Sequence, residues 1–185
     1  SAVVRDSSEA VLRFNLNKVS TAIKDWCKIN ALLLNEEKTQ TLTIQLNGRL
    51  SQHINLLGLE VDSRLSWASH VELLSAKLAS SIFMLRRLSS MISPDILRTV
   101  YHACFQSRLS YCVIMWGNSV HSTSIFKLQK KAIRILLKLG WQESCRGHFR
   151  ELNILTLPSL YALSCLLYVH QNLDSIVVDL TVMST

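Results

Sequence analysis

"HINLLGLEVDSRLSWASHVELL", residues 53–74, changes its hydrophobic period in the middle. Up to Val61 it suits an extended strand, with Gly58 inside it. A glycine weakens a strand unless a bulge or a close backbone approach requires it. After "RLSW" the apolar positions become Val71, Leu74, Leu78, Ile82, Leu85 and Leu88. Steps of three and four are the helical period, so a helix is predicted over about 69–91. The change of period divides the chain near residue 66. A small α+β piece precedes it and an all-helical piece follows.

Upstream, "SAVV" (1–4) reads as the end of a strand, and Asp6 and Glu9 are spaced as an N-cap and its capping partner. Leu12, Leu16, Val19, Ile23 and Trp26 then mark one face of a helix over about 8–30. "TLTIQL" (41–46) alternates, and Asn47-Gly48 is a strong hairpin signal, which makes 53–61 the returning strand. At the joint between helix and strand stand Glu36, Glu37 and Lys38, where a plain turn would use Gly or Pro. Lys38 either pairs with one of those acids on a solvated corner or is aimed at a ligand. Downstream, Ser93-Pro94 opens a second helix with Pro at its first position. Ser122 opens a third, with Gly140 as its closing residue, and Pro158 opens a fourth.

The 185 residues are 49% apolar, enough for a real core, and 5 Gly and 2 Pro leave no long linker. The first residue is Ser, which suggests a fragment or a processed chain. No basic segment leads into an apolar one as a secretory signal would, and the apolar run 160–169 is about half a membrane span. The expectation is a soluble, intracellular protein, nuclear or cytoplasmic, with no membrane partner. The 5 cysteines form no CxxC pair, so buried reduced thiols are expected, and the 6 histidines lack ligand spacing, so no metal site is expected.

The net charge of +7 is unevenly placed. Residues 1–63 balance 7 basic against 7 acidic side chains, residues 64–150 carry 13 against 3, and residues 151–185 carry 3 acids and no Lys or Arg. A basic middle is the electrostatic footprint of a phosphate-backbone binder. It is sharpest in the third helix, where Lys127, Lys130, Lys131, Arg134 and Lys138 fall within roughly a 100° arc. Leu128, Ala132, Ile135 and Leu136 lie on the other side. Like charges at i,i+4 cost roughly 0.2–0.5 kcal/mol each in an isolated helix. No acid stands between Lys127 and Lys138 to relieve that cost, whereas a polyanion along the stripe would reverse its sign.

Five segments in this order resemble the region after the active site in non-LTR retrotransposon (LINE-class, jockey-like) reverse transcriptases. "WCKINALLLNEEKTQTL" (26–42) resembles a helix end and its "LN-x-x-KT" turn, and "INLLGLEVDSRLSWASHV" (54–71) the "YLG…D..L.W..H" primer-grip segment. "LSYCVIMWGN" (109–118) is similar to "L.YG…WG", "LQKKAIRIL" (128–136) to "LQ..A.R.I", and "FRELNILTLPSLYAL" (149–163) to "L.IL.L…". Leu56 stands where that family has an aromatic, and Cys112 where it has Gly.

The resemblance implies a C-terminal palm remnant over 1–66 and a helical thumb with its connection over 67–185. It implies a part of an RNA-directed DNA polymerase that grips an RNA–DNA hybrid or RNA, with Gly58 and Arg87 joining the nucleic-acid-facing residues. It makes Lys38 the turn lysine that protonates departing pyrophosphate, a general-acid role. The family's aspartate pair, which holds two metals, would lie upstream of Ser1 with the remaining palm and the fingers. Mg²⁺ is therefore implied for a full-length parent and no cofactor for this chain, which alone would be inactive. The residues also permit a domesticated, non-catalytic helical module that binds protein.

Overall fold

The structure is a computed structural model that describes residues 3–5, 8–44 and 52–173. It contains two compact units, Ser1–Thr41 and Leu42–Thr185. The change of period near residue 66 falls inside the second. Most of the described chain is helical, and one two-stranded antiparallel sheet accompanies the helices, a loose α+β arrangement.

The first unit is built on α1 (Glu9–Ile29). Its N-cap is Ser8, in extended conformation, while Asp6, the expected cap, lies outside the described residues. Glu9 in the first turn and Lys28 in the last both complement the helix dipole. The helix closes as Leu32 N–H reaches Cys27 O across Ala31, whose φ is +53°. That is a Schellman closure without its usual glycine. The five residues of the predicted face are at most half-buried, and none in α1 is fully buried. Residues 3 and 4, the described part of "SAVV", form no strand.

In the second unit the hairpin is not the expected one. Residues 42–44 form no strand, and residues 45–51, including Asn47-Gly48, lie outside the described residues. The stretch 53–61 is not a single strand either. It folds on itself as β1 (His53–Leu56) and β2 (Leu59–Asp62), antiparallel, with Leu56 opposite Leu59. Leu57 and Gly58 form the two-residue turn with φ of +52° and +86°, positive at both positions as a type I′ turn requires. Asn55 Oδ1 accepts from Gly58 N–H at 3.0 Å, and Asn55 Nδ2 donates to Glu60 Oε1 at 3.0 Å. Gly58 is thus the turn itself, not a flaw inside a strand.

β2 ends at Asp62, whose carboxylate organises the next five residues. It accepts from Arg64 N–H (2.9 Å), Ser66 N–H (3.1 Å), Ser66 Oγ (3.0 Å) and Trp67 N–H (3.0 Å). Leu65 and Trp67 both have positive φ, +54° and +65°, each costing about 1 kcal/mol or more for a residue with a Cβ. The charge-assisted bonds offset that strain. Trp67 is buried at the N-cap of α2 (Ala68–Leu88), and β2 packs on α2. His70 lies between the rings of Trp67 and Trp116, with centroids at 6.4 and 5.9 Å. Burial, and after it the charge of Lys77, holds this imidazole below its ordinary pKa.

Val71, Leu74, Leu78, Ile82 and Leu85 of α2 are all buried, as their spacing predicts. They face α3 (Pro94–Tyr101), a π-helical turn (His102–Gln106) and α4 (Ser107–Ser110), which run on as one rod. Leu97, Tyr101, Phe105 and Leu109 are its buried residues. Ser81 of α2 donates to Cys104 O in the π turn at 3.0 Å, and Arg108 Nη1 donates back to Lys77 O at 3.0 Å. Burial pushes the Tyr101 phenol up to about 12, while its hydroxyl donates to Gln106 Oε1.

The rod ends at Tyr111, and Cys112 turns the chain with φ +48° into α5 (Val113–Trp116). Trp116 is fully buried and its Nε1 donates to Tyr111 O. Gly117 follows because there is no room: a Cβ would stand 2.6 Å from Val113 O and 2.9 Å from the Tyr161 ring. The remaining helices are α6 (Ser122–Leu136), α7 (His148–Glu151) and α8 (Leu157–Gln171), with Thr156 Oγ1 capping α8. The 5 cysteines are free thiols, and only Cys145 is fully buried.

Asp62→Asn replaces two acceptors by one and points an NH₂ at backbone donors. The variant should lose roughly 2–3 kcal/mol at neutral pH. The carboxyl is held below the usual range: burial opposes that, and the bonds from Ser66, Arg64 and Trp67 outweigh it. Its stabilisation is therefore present above the unfolded value of about 3.9 and fades as pH falls through the lower folded value. Urea unfolding of both forms at neutral pH and near pH 3 should show a gap that narrows in acid. A gap independent of pH would remove the carboxylate from this role.

Candidate nucleic-acid interface

α6 forms because its two faces separate cleanly. Ile125, Gln129, Ala132, Ile133 and Leu136 are its buried residues, packed on α2, α3 and α8. Ala132 and Leu136 are on that face as expected, while Leu128 and Ile135 sit half-buried at its edges. Gln129 occupies its centre at 0% exposure. Its amide is fully used: Nε2 donates to Leu155 O and Oε1 accepts from Leu157 N–H, both at 2.9 Å. A polar residue is not expected at the centre of an apolar face, but here both ends of the amide are hydrogen-bonded.

The helix does not run to Gly140. α6 stops at Leu136, with Leu137 as C-cap, and Lys138 takes the left-handed C′ position at φ +55°. Leu139 N–H bonds Arg134 O at 2.9 Å and Lys138 N–H bonds Ile135 O at 3.3 Å, the two bonds of a Schellman motif. Gly140 instead begins a turn. Glu143 N–H returns to Gly140 O at 3.1 Å, and Glu143 Oε2 accepts from Gly140 N–H at 3.0 Å. Arg134 Nε donates to Glu143 O at 2.9 Å and ties that turn to the helix.

The five expected cations separate into three settings. Lys131, Arg134 and Lys138 border one groove of about 460 Å³ between α6 and the end of α2. Arg86 completes it from α2, and Trp141 stands at its rim with 82% of its surface exposed. Lys127, exposed, borders a different hollow that also holds Glu72 and His121. Lys130 is half-buried, with Nζ 4.2 Å from the Phe126 ring centroid, a cation–π contact. Arg86, Lys131 and Lys138 form no ion pair with any carboxylate among the described residues.

Arg87 is exposed but does not border the groove; its neighbour Arg86 does. Arg86 and Trp141 are the residues the stripe argument missed. The signal available for Trp141 was a large aromatic one residue beyond Gly140 in a basic segment. Gly58 lies far along the chain from these cations, at the hairpin turn beside the Tyr111 ring, whose hydroxyl bonds Leu57 O. In the first unit, Lys38 is exposed at a corner that Asn35 builds: Asn35 Oδ1 accepts from Lys38 N–H at 3.1 Å, and Asn35 O from Thr39 Oγ1 at 2.9 Å. Glu36 does not pair with Lys38. It meets Lys24 of α1 at 2.7 Å, and that hydrogen bond, with the lysine's charge, lowers its pKa.

Among the described residues no three His, Cys, Asp or Glu side chains come together as a metal-binding group. Asp62, the buried carboxylate, is already engaged by four donors. The described residues therefore do not fit the Mg²⁺ expected of a full-length parent, and no chemical step runs through it here. No described helix is long and apolar enough to cross a membrane. Comparison of the chain with protein-family models, curated proteins and solved structures found no match.

Lys138→Gly tests the closure of α6. Lys138 is exposed, so its removal loses little packing, and Gly adopts the left-handed C′ position without the Cβ penalty. After the entropy that Gly adds to the unfolded chain, a net gain of about 0.5–1 kcal/mol is expected. Thermal and urea unfolding measure it. An unchanged or lower midpoint would refute the assignment of Lys138 to that position.

Proposed function

We propose that the chain is the C-terminal palm and helical thumb region of a LINE-class reverse transcriptase, and that it holds a primer–template duplex by its sugar–phosphate backbone. The observation that carries the reading is the convergence of Arg86 from α2, Lys131 and Arg134 from α6, and Lys138 just past the end of α6 on one groove. No described carboxylate pairs with Arg86, Lys131 or Lys138. Backbone contacts of this kind fix register and affinity without reading sequence.

Further support comes from the residues that carry the resemblance. Cys112, which stands in place of the family's Gly, has φ +48°, a conformation that favours Gly. Gly58 supplies a turn, Asp62 and Trp67 a helix start, and Gln129 a buried clamp. In the same reading Lys38 protonates pyrophosphate in the assembled polymerase. No Asp-Asp pair occurs in the 185 residues, so the chain contributes grip and not the metal-dependent step.

A second reading, a helical module that binds protein, is favoured by α8. Leu163, Leu166, Leu167, Tyr168 and Val169 are all more than two-fifths exposed, and contiguous apolar surface of that kind invites a partner.

Salt separates the two readings. Arg86→Gln, Lys131→Gln and Lys138→Gln together remove charges whose side chains carry no described packing role. Affinity for an RNA–DNA hybrid should fall for every sequence tested, and the slope of log K against log salt should shrink by roughly two to three units. Binding titrations at several salt concentrations, with circular dichroism as the fold control, decide it. Equal slopes for the two forms would favour the protein-binding module.

A further inference from the structure

We infer that the groove between α2 and the C-terminal end of α6 is a single-strand site, in which a base stacks on Trp141 while its flanking phosphates meet Arg86, Lys131 and Lys138. The inference rests on the proposal that the chain binds nucleic acid, and beside the duplex grip it gives the same cations a second ligand, an unpaired segment of strand.

Trp141 is the reason. Its indole is 82% exposed, yet the turn that carries it is tied down. Glu143 closes that turn through both its backbone N–H and its carboxylate, and Arg134 anchors it to α6. The ring is therefore presented to solvent from a fixed base. Beside it, Ile135 and Leu139 give the groove an apolar wall. The one carboxylate of the turn, Glu143, accepts from Gly140 N–H and forms no ion pair with Arg86, Lys131 or Lys138 among the described residues. Phosphate-binding cations beside an open aromatic face suit a strand whose bases are unpaired. Bases inside a duplex offer no free π-face along its length, whereas each base of a single strand does.

The test compares fluorescence anisotropy of labelled oligo(U) and of a blunt RNA–DNA hybrid, bound by the full chain, its Trp141→Ala form and its Trp141→Tyr form. Trp141→Ala should weaken oligo(U) by roughly 5- to 150-fold, the range of one lost stacking contact. Trp141→Tyr should recover most of that loss. Hybrid affinity and the salt slope should stay unchanged in both variants, because a stacking ring releases no counterion. Circular dichroism checks the fold, which an exposed side chain should not disturb. An equal loss on hybrid and oligo(U), or no loss on oligo(U), would overturn the inference. Wild-type binding of the hybrid without oligo(U) would also overturn it and leave the duplex grip standing. Binding of oligo(U) that depends on Trp141, without binding of the hybrid, would sustain it and overturn the duplex grip.

Discussion

The second unit turns on a single carboxylate. Asp62 ends a strand, and four donors within the next five residues converge on it. Without it, two residues with side chains would sit in left-handed conformation uncompensated, and the first turn of α2 would lose its start. α2 is the helix on which β2, α3, the π turn, α4 and α6 all pack. Hairpin and helices are thus joined by electrostatics local to six residues, and the larger hydrophobic core is arranged downstream of that joint. Charge-assisted bonds to a buried carboxylate are about twice as strong as neutral ones, which is why one side chain suffices.

Much of this was legible in the residues themselves. The spacing of Val71, Leu74, Leu78, Ile82 and Leu85 placed α2 within a residue or a few of its ends, and Ser93-Pro94 placed the start of α3. Leu12 to Trp26 marked α1 equally well, although its apolar face is not buried. What periodicity could not separate was a strand from a tight hairpin inside 53–62. Leu56 and Leu57 are adjacent and apolar, so they hid a turn whose only polar clues were Asn55 and Gly58. The end of α6 was misplaced for a related reason. Gly140 looked like the natural closing residue, but the backbone hydrogen bonds closed two residues earlier and put a lysine where Gly is preferred.

The candidate site was legible in part. Charge alone singled out α6, and three of its five cations do share a groove. Helical spacing cannot say which neighbouring helix faces a stripe, so Arg86 was missed. It also treats all cations alike, whereas Lys130 leans on Phe126 and Arg134 spends its Nε on a backbone carbonyl. At the corner of residues 35–39, the sequence left open which partner Glu36 takes; Lys24, twelve residues upstream on α1, was outside a local reading.

The π turn at His102–Gln106 keeps a beat that an α-helix cannot keep. Leu97, Tyr101, Phe105 and Leu109 recur every four residues, and all four are buried. In a regular α-helix each such step advances about 40° beyond a full turn, so three steps would carry Leu109 about 120° away from Leu97. The wider π turn winds more slowly and takes back much of that drift. The five residues act as a phase corrector, letting a four-residue repeat address one flat neighbour, α2, from end to end. Phe105 is the one buried side chain among the five, so a relative could change the other four and keep the device, provided it kept their number.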